Sequence, residues 1–195
     1  MKNKGIYDRG YLPHWDFPRA LQAITFRLAD SVPAKVIKEW QDELQTIADE
    51  QDRHRQLHRQ IANYEDAGFG SAIFCDEVCA MIVQEELLRH QGMMYDLHEW
   101  CVMPNHVHVL AMLRENHTLA DVVKHWKGAT SLKLNRLLGQ SGRLWHPDYY
   151  DRYVRDMDHF YNCRIYIRNN PVKAGLCANP EDWPYSSASW KERGL

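Results

Sequence analysis

The 195-residue chain has no excess of positive charge: 24 lysines and arginines stand against 26 aspartates and glutamates, a formal net charge of -2. The basic balance typical of a protein that coats nucleic acid is absent, so contact with a polyanion has to come from a local patch. Long apolar runs are missing too, with nothing near the ~18 consecutive apolar residues a membrane span requires. The opening MKNKGIYDRGYLPHWD carries charges and lacks the apolar core of an export signal. A soluble, cytoplasmic protein without membrane contact is expected. Cysteines are few and odd in number, five, and lie mostly in apolar segments, which favours reduced, packed thiols over a disulfide framework. Cys75 and Cys79 stand four apart in CDEVC, but no second thiol pair completes a zinc knuckle. Repeats and low-complexity tracts are also lacking. The length suits one domain over residues 1–195 with a helical extension.

What is present is a succession of alternating patterns. Residues 20–30 (ALQAITFRLAD) have the aromatic and branched composition of a strand, and Ser31 with Pro33 then predicts a helix start. From Val36 to about Tyr64 the chain is charged, with weak apolar content at helical spacing, and reads as a solvated helical insertion around 36–66. Residues 75–90 predict an amphipathic helix with Val78, Met81, Ile82 and Leu88 on its apolar face. Residues 95–103 and 106–113 predict a hairpin turning at MPN. Thr118 is placed to cap a helix reaching about Leu138, with Leu119, Val123, Trp126, Thr130, Leu134 and Leu137 as its core stripe. Residues 144–154 return to strand character, and 156–170 predict a last long helix stopped by Pro171. This order suits an α+β, ferredoxin-like split βαβ plan: an antiparallel sheet with helices on one face, plus a C-terminal tyrosine-bearing helix.

The hairpin holds an unusual pair. In CVMPNHVHVLAML, His106 and His108 share one face of a strand while Val107 and Val109 face the other. Two imidazoles so placed present two nitrogens to one cation, or are two satisfied core histidines in a chain with eleven. A third ligand decides between these. Tyr166 and Asn170 lie four apart on one helical face, with ~5–6 Å between β-carbons. A metal held by His106, His108 and the Asn170 amide oxygen would sit close to the Tyr166 hydroxyl. Mixed nitrogen and oxygen ligands suit Mg²⁺ or Mn²⁺, with positions left for phosphate oxygens. The plainer alternatives are Asn170 as the N-cap of a short helix that Pro171 begins, and Tyr166 as a packed aromatic. His159, two turns before Tyr166, could face the same side.

MPNHVHVL resembles the histidine-hydrophobe-histidine (HUH) motif of single-tyrosine transposases, a superfamily that includes the IS200-like insertion-sequence enzymes. YIRNNPVKAGL is similar to the tyrosine helix of one group of them, the REP-associated tyrosine transposases. YLPHW, ITFRLADS, WKGATSLKLNRLL and LWHPDYYDRYVRD also resemble that group, so the likeness runs over most of the chain. It implies a ferredoxin-like fold, Tyr166 as nucleophile, His106 and His108 as metal ligands with Asn170 as the third, and a divalent cofactor, Mg²⁺ or Mn²⁺. It also implies single-stranded DNA bearing imperfect palindromic (REP) hairpins as the partner, cleaved and rejoined through a 5′-phosphotyrosine. The charged segment from Trp40 to Tyr64 has no role in the family pattern.

Between Val122 and Pro147 there are five basic residues, Lys124, Lys127, Lys133, Arg136 and Arg143, and no acidic one. This stripe, with Arg168 and Lys173 beside the tyrosine, is the expected DNA surface. Arg152, Arg155 and Arg164 would extend it. Trp183, Tyr185 and Trp190 either stack unpaired bases or cover the sheet. A monomer, associated with the nucleoid, is expected. The competing reading is a domesticated protein that binds DNA hairpins without cutting them; a water-using His-x-His hydrolase lacks a further ligand cluster.

Overall fold

The computed structural model describes residues 5–8, 13–16 and 19–192, with side chains from 19 to 190. Tyr11 and Leu12 of YLPHW lie outside the described residues; its other three belong to β2 (Pro13–Asp16), which pairs antiparallel with β1 (Gly5–Asp8). The main sheet starts with β3 (Leu21–Arg27), whose burial alternates because one face meets helices and the other a cavity. Two helices follow, α1 (Ala34–Leu44) and α2 (Glu50–Asp66), then α3 (Glu77–Arg89). A hairpin of β4 (Tyr95–Val102) and β5 (His106–Leu113) leads into α4 (Leu119–Leu137). β6 (Tyr150–Tyr153), α5 (Met157–Lys173) and α6 (Ser187–Glu192) complete the chain. Strand order is β4-β5-β3-β6 with every pairing antiparallel, the ferredoxin-like order expected from the sequence. β5 is therefore an interior strand, bonded on both sides.

The two faces have separate cores. Ile24, Phe26, Val107, Val109 and Ala111 pack with Val83 and Leu87 of α3 and with Val123, Trp126 and Leu134 of α4. Each fully buried large side chain there contributes ~1.5–3 kcal/mol. On the opposite face Cys101, Met103 and Leu110 pack with Val154 and Ile167, which seats α5 across the sheet. Glu99, fully buried on β4, accepts from Arg164 of α5 at 2.8 Å and from the Ser187 hydroxyl, which ties the helix to the strands.

Several local expectations change. The insertion is two helices, because Asp49 caps α2 by accepting from the Asp52 amide at 2.7 Å, and the pair buries Val32, Ile37, Leu44, Leu57 and Ile61 as its own core. Ser31 does not cap α1: its hydroxyl donates to the Leu28 carbonyl, and Pro33 occupies the cap position. On α3 the buried positions are Cys79, Ala80, Val83, Gln84, Glu86 and Leu87, whereas Val78 and Met81 are exposed. Cys75 precedes that helix and is exposed, whereas Cys79 is buried on it. Leu137 of the α4 stripe is exposed, and the strand expected over 144–154 shortens to β6. Pro171 does not stop α5, which runs two residues further and ends with Gly175 at φ +71°. Near the end of a helix a proline forfeits only its own amide bond, and buried packing retains it.

The loop joining α2 to α3 is held by close backbone contact. Gly70 has φ +90°, and a Cβ there would lie 2.8 Å from the Asp30 carbonyl oxygen. Gly68 also has positive φ but faces open space. Gly70→Ala is expected to cost ~2–3 kcal/mol and Gly68→Ala ~1 kcal/mol, with melting temperatures falling ~2–4 °C per kcal/mol. Equal losses in thermal denaturation would refute the close approach as the cause.

Candidate metal and nucleophile site

Alternation on β5 turns His106 and His108 toward α5, where they are 1% and 4% exposed. Their Nε2 atoms stand 3.0 Å apart. The hydrogen-bond network assigns their protons. Asn105, fully buried, donates its amide to the Phe69 carbonyl at 2.8 Å, which fixes its oxygen toward His106 Nδ1 at 2.7 Å. That nitrogen must therefore carry the hydrogen, leaving a lone pair on Nε2. Across the ladder, Thr25 lies opposite His108 and its Oγ1 is 2.8 Å from His108 Nδ1. Asn170, 1% exposed on α5, donates to His108 Nε2 at 3.1 Å, consistent with a bare nitrogen there too. Both imidazoles stay neutral: burial, aided by the Lys173 charge, pushes His106 down to about 3, and burial, then His106, His58 and Lys173, holds His108 well below 6.5.

These donors fit a divalent cation. Two ligands on adjacent octahedral positions at ~2.1 Å from a metal are ~3.0 Å apart, the spacing of the two Nε2 atoms. Their Nδ1 contacts, to Asn105 and Thr25, are of the kind that orients imidazoles at metal sites in general. The Asn170 oxygen is buried with no hydrogen-bond partner among the described residues. Turning the amide over exchanges this oxygen with the nitrogen that faces His108.

Tyr166 stands beside the pair, its ring 5.4 Å from that of His108 and nearly perpendicular to it. It is 41% exposed and opens on a cavity of about 540 Å³. Burial, then Asp66 and Glu65, push its pKa above the ordinary 10, against a smaller opposing effect of the nearby Asn170 side chain. β3 and β6 form the cavity floor, α5 one wall and α2 the other, through Arg55, His58 and Arg59. The charged segment left without a role in the sequence is thus part of the site. No short-range motif announced this, because Asp66 and His106 are forty residues apart in the chain. His159 also lines the cavity, yet seven residues of helix put it ~10 Å along the axis from Tyr166.

The expected DNA-contact residues divide. Lys124 and Arg143 border a groove of about 760 Å³ between α4 and the segment before β6; with Arg136 they have no ion-pair partner among the described residues. Lys127 reaches into the same groove but donates to the carbonyls of His146 and Asp148 at 3.0 and 2.9 Å. Lys133 is paired with Glu86 at 2.6 Å, Arg168 with Glu181 at 3.1 Å, and Lys173 with Asp66 at 2.6 Å. Trp183 donates to the Val102 carbonyl, while Tyr185 and Trp190 pack on the main core.

Burial also pushes His58 and His146 down to about 4, with Arg152 and Arg27 respectively adding to it. The folded, metal-free protein therefore binds fewer protons than the unfolded chain. The stability these histidines contribute is complete above about pH 6.5 and is lost as pH falls toward about 4; buried Glu65, raised to about 8, opposes only part of it. A fully buried histidine such as His106 withdraws ~2 kcal/mol by pH 5, so thermal denaturation at pH 5 should give a melting temperature at least ~4 °C below that at pH 7. A flat profile would contradict these neutral histidines.

A buried histidine pair, an asparagine amide and a tyrosine thus meet on one face of a ferredoxin-like sheet. Residues 75–170, which hold all four, match the model of the family described as Transposase IS200 like. Among its curated relatives are a REP-associated tyrosine transposase of Escherichia coli K12, 25% identical over 118 residues, and a Haemophilus influenzae protein that bears the same designation provisionally, 31% identical over 97 residues. The matches cover 55% and 45% of this chain, and 66% and 55% of those proteins respectively, so it spans between half and two thirds of their length. The fold is similar to the solved structure of a REP-associated tyrosine transposase bound to a REP hairpin, with a TM-score of 0.56 over 96% of this chain and 85% of that one, at 15% identity. Among the described residues no helix is long and apolar enough to cross a membrane.

Proposed function

We propose that the protein cleaves and rejoins single-stranded DNA at REP-type hairpins, with Tyr166 as nucleophile and a divalent cation held by His106, His108 and Asn170. The observation that carries this reading is the meeting of two bare, neutral Nε2 atoms with the buried Asn170 amide beside the Tyr166 ring. A bound Mg²⁺ or Mn²⁺ supplies charge neutralisation and polarisation of a phosphate oxygen.

The remaining chemistry belongs to the chain. The Tyr166 oxygen forms a bond to phosphorus in line with the departing 3′-oxygen, which leaves a 5′-phosphotyrosine and a free 3′-hydroxyl. Attack by a 3′-hydroxyl reverses the step, so joining requires no ATP. With its pKa raised, the phenol is protonated at rest; it releases its proton to water as it attacks, and the departing 3′-oxygen takes up a proton from water to leave as the hydroxyl. The Lys173 ammonium, 5.9 Å from the ring centroid, favours the resulting phenolate. Arg59 and Arg152, cavity-lining cations with no ion-pair partner among the described residues, suit the flanking phosphates. The groove carrying Lys124 and Arg143 suits the hairpin stem. Such work places the protein with the nucleoid.

Incubation with Mg²⁺ or Mn²⁺ and hairpin oligonucleotides from the source genome, followed by a denaturing gel, should show a protein–DNA adduct whose peptide contains Tyr166. Hairpin binding with no adduct across several hairpins and both metals would favour the non-cleaving alternative.

A further inference from the structure

The last residue of α2 brings a carboxylate to the histidine pair. Asp66 Oδ2 is held by the Lys173 ammonium at 2.6 Å, which turns Oδ1 inward to 3.8 Å from His106 Nε2. That oxygen is buried and has no hydrogen-bond partner among the described residues. His106 cannot provide one, because Asn105 keeps its hydrogen on Nδ1. An anionic oxygen and a lone pair thus face each other in a buried space, an arrangement that costs free energy unless a cation lies between them. Another buried oxygen without a partner, that of Asn170, belongs to the same cluster.

We infer that Asp66 is a further ligand of the cation, contributed by the helical insertion. The inference rests on the metal site proposed above and adds what that site lacks. Two imidazoles and an amide are neutral and leave the full double charge of the ion uncompensated, whereas hard cations of the Mg²⁺ and Mn²⁺ type favour carboxylate oxygen. Asp66 provides one negative charge in a place already built for it. Lys173 then has a defined task as a positioning residue: it leaves only Oδ1 free to turn toward the histidines.

The test measures Mn²⁺ binding directly, by calorimetry and by the electron paramagnetic resonance signal of free Mn²⁺, in the full chain without DNA. Asp66→Asn, which keeps the shape and removes the charge, should weaken Mn²⁺ at least ~10-fold with an unchanged circular dichroism spectrum. Lys173→Met, which breaks the ion pair but keeps the carboxylate, should hold Mn²⁺ within ~3-fold of wild type, because removal of a nearby cation offsets the looser side chain. Mn²⁺ affinity within twofold of wild type in Asp66→Asn overturns the inference. So does an equal loss in Lys173→Met, which would make Asp66 a structural anchor. His106→Ala separates the two levels of the argument. If it abolishes Mn²⁺ binding while Asp66→Asn does not, only the role of Asp66 fails; if it leaves binding intact, the metal site itself is wrong.

Discussion

Tyr166→Phe should reduce covalent adduct formation by at least ~10³-fold while hairpin affinity stays within about threefold, or ~0.7 kcal/mol. The substitution removes one oxygen and keeps the ring that meets His108 and lies under Lys173. The fold therefore has no reason to change, and a loss of chemistry reports on the hydroxyl alone. A competitor exists within the same cavity. Tyr150 lines it, stacked on His58 at 3.5 Å between centroids, and burial raises its pKa as well. Peptide mapping of any residual adduct decides the matter: DNA on Tyr150, or undiminished adduct in the variant, would remove Tyr166 as nucleophile.

His108→Ala should abolish both Mn²⁺ binding and metal-dependent adduct formation, with losses of ~100-fold or more. A structural cost accompanies this. The substitution leaves Thr25 and Asn170 without a partner, which costs ~1–3 kcal/mol, or a few degrees of melting temperature. The size of that cost separates ligand from packing. A fall of more than ~10 °C with Mn²⁺ affinity retained would make the imidazole a core residue, the plainer reading of a histidine pair in an apolar strand.

Period-two alternation made the β5 face legible, because only sheet geometry is needed to put His106 and His108 on one side. The tyrosine helix was legible from its four-residue spacing, and Thr118 from its capping chemistry, borne out by the bond it accepts from the Asp121 amide. The failures have physical causes. Asp49 is one acidic residue among many in its segment, so its capping role is invisible until the backbone bends there. Buried Gln84 and Glu86 interrupt the apolar stripe of α3; Glu86 is satisfied by Lys133, His125 and Arg89, charges that composition alone assigns to a solvated surface. Closure of the cavity by α2 depends on contacts between distant segments, Asp66 with Lys173 and Glu65 with Arg27, and leaves no trace in local pattern. Of the expected DNA residues, those spent on carbonyls or carboxylates could be told from the free ones only once the side chains were placed.

Pro171 has a consequence for how the site is strung together. Lacking an amide hydrogen, it cannot bond the Ile167 carbonyl, so the missing rung spans the turn from Ile167 to Pro171, which begins one residue after Tyr166 and contains Asn170. Tyr166 thus stands at the edge of the weakest turn of α5 and Asn170 within it, while His106 and His108 are fixed on an interior strand. Bending is concentrated where such a rung is lost. That turn lies between two clamps, Arg164 on Glu99 before it and Lys173 on Asp66 after it, so any bend of α5 is confined to the stretch that carries Tyr166 and Asn170.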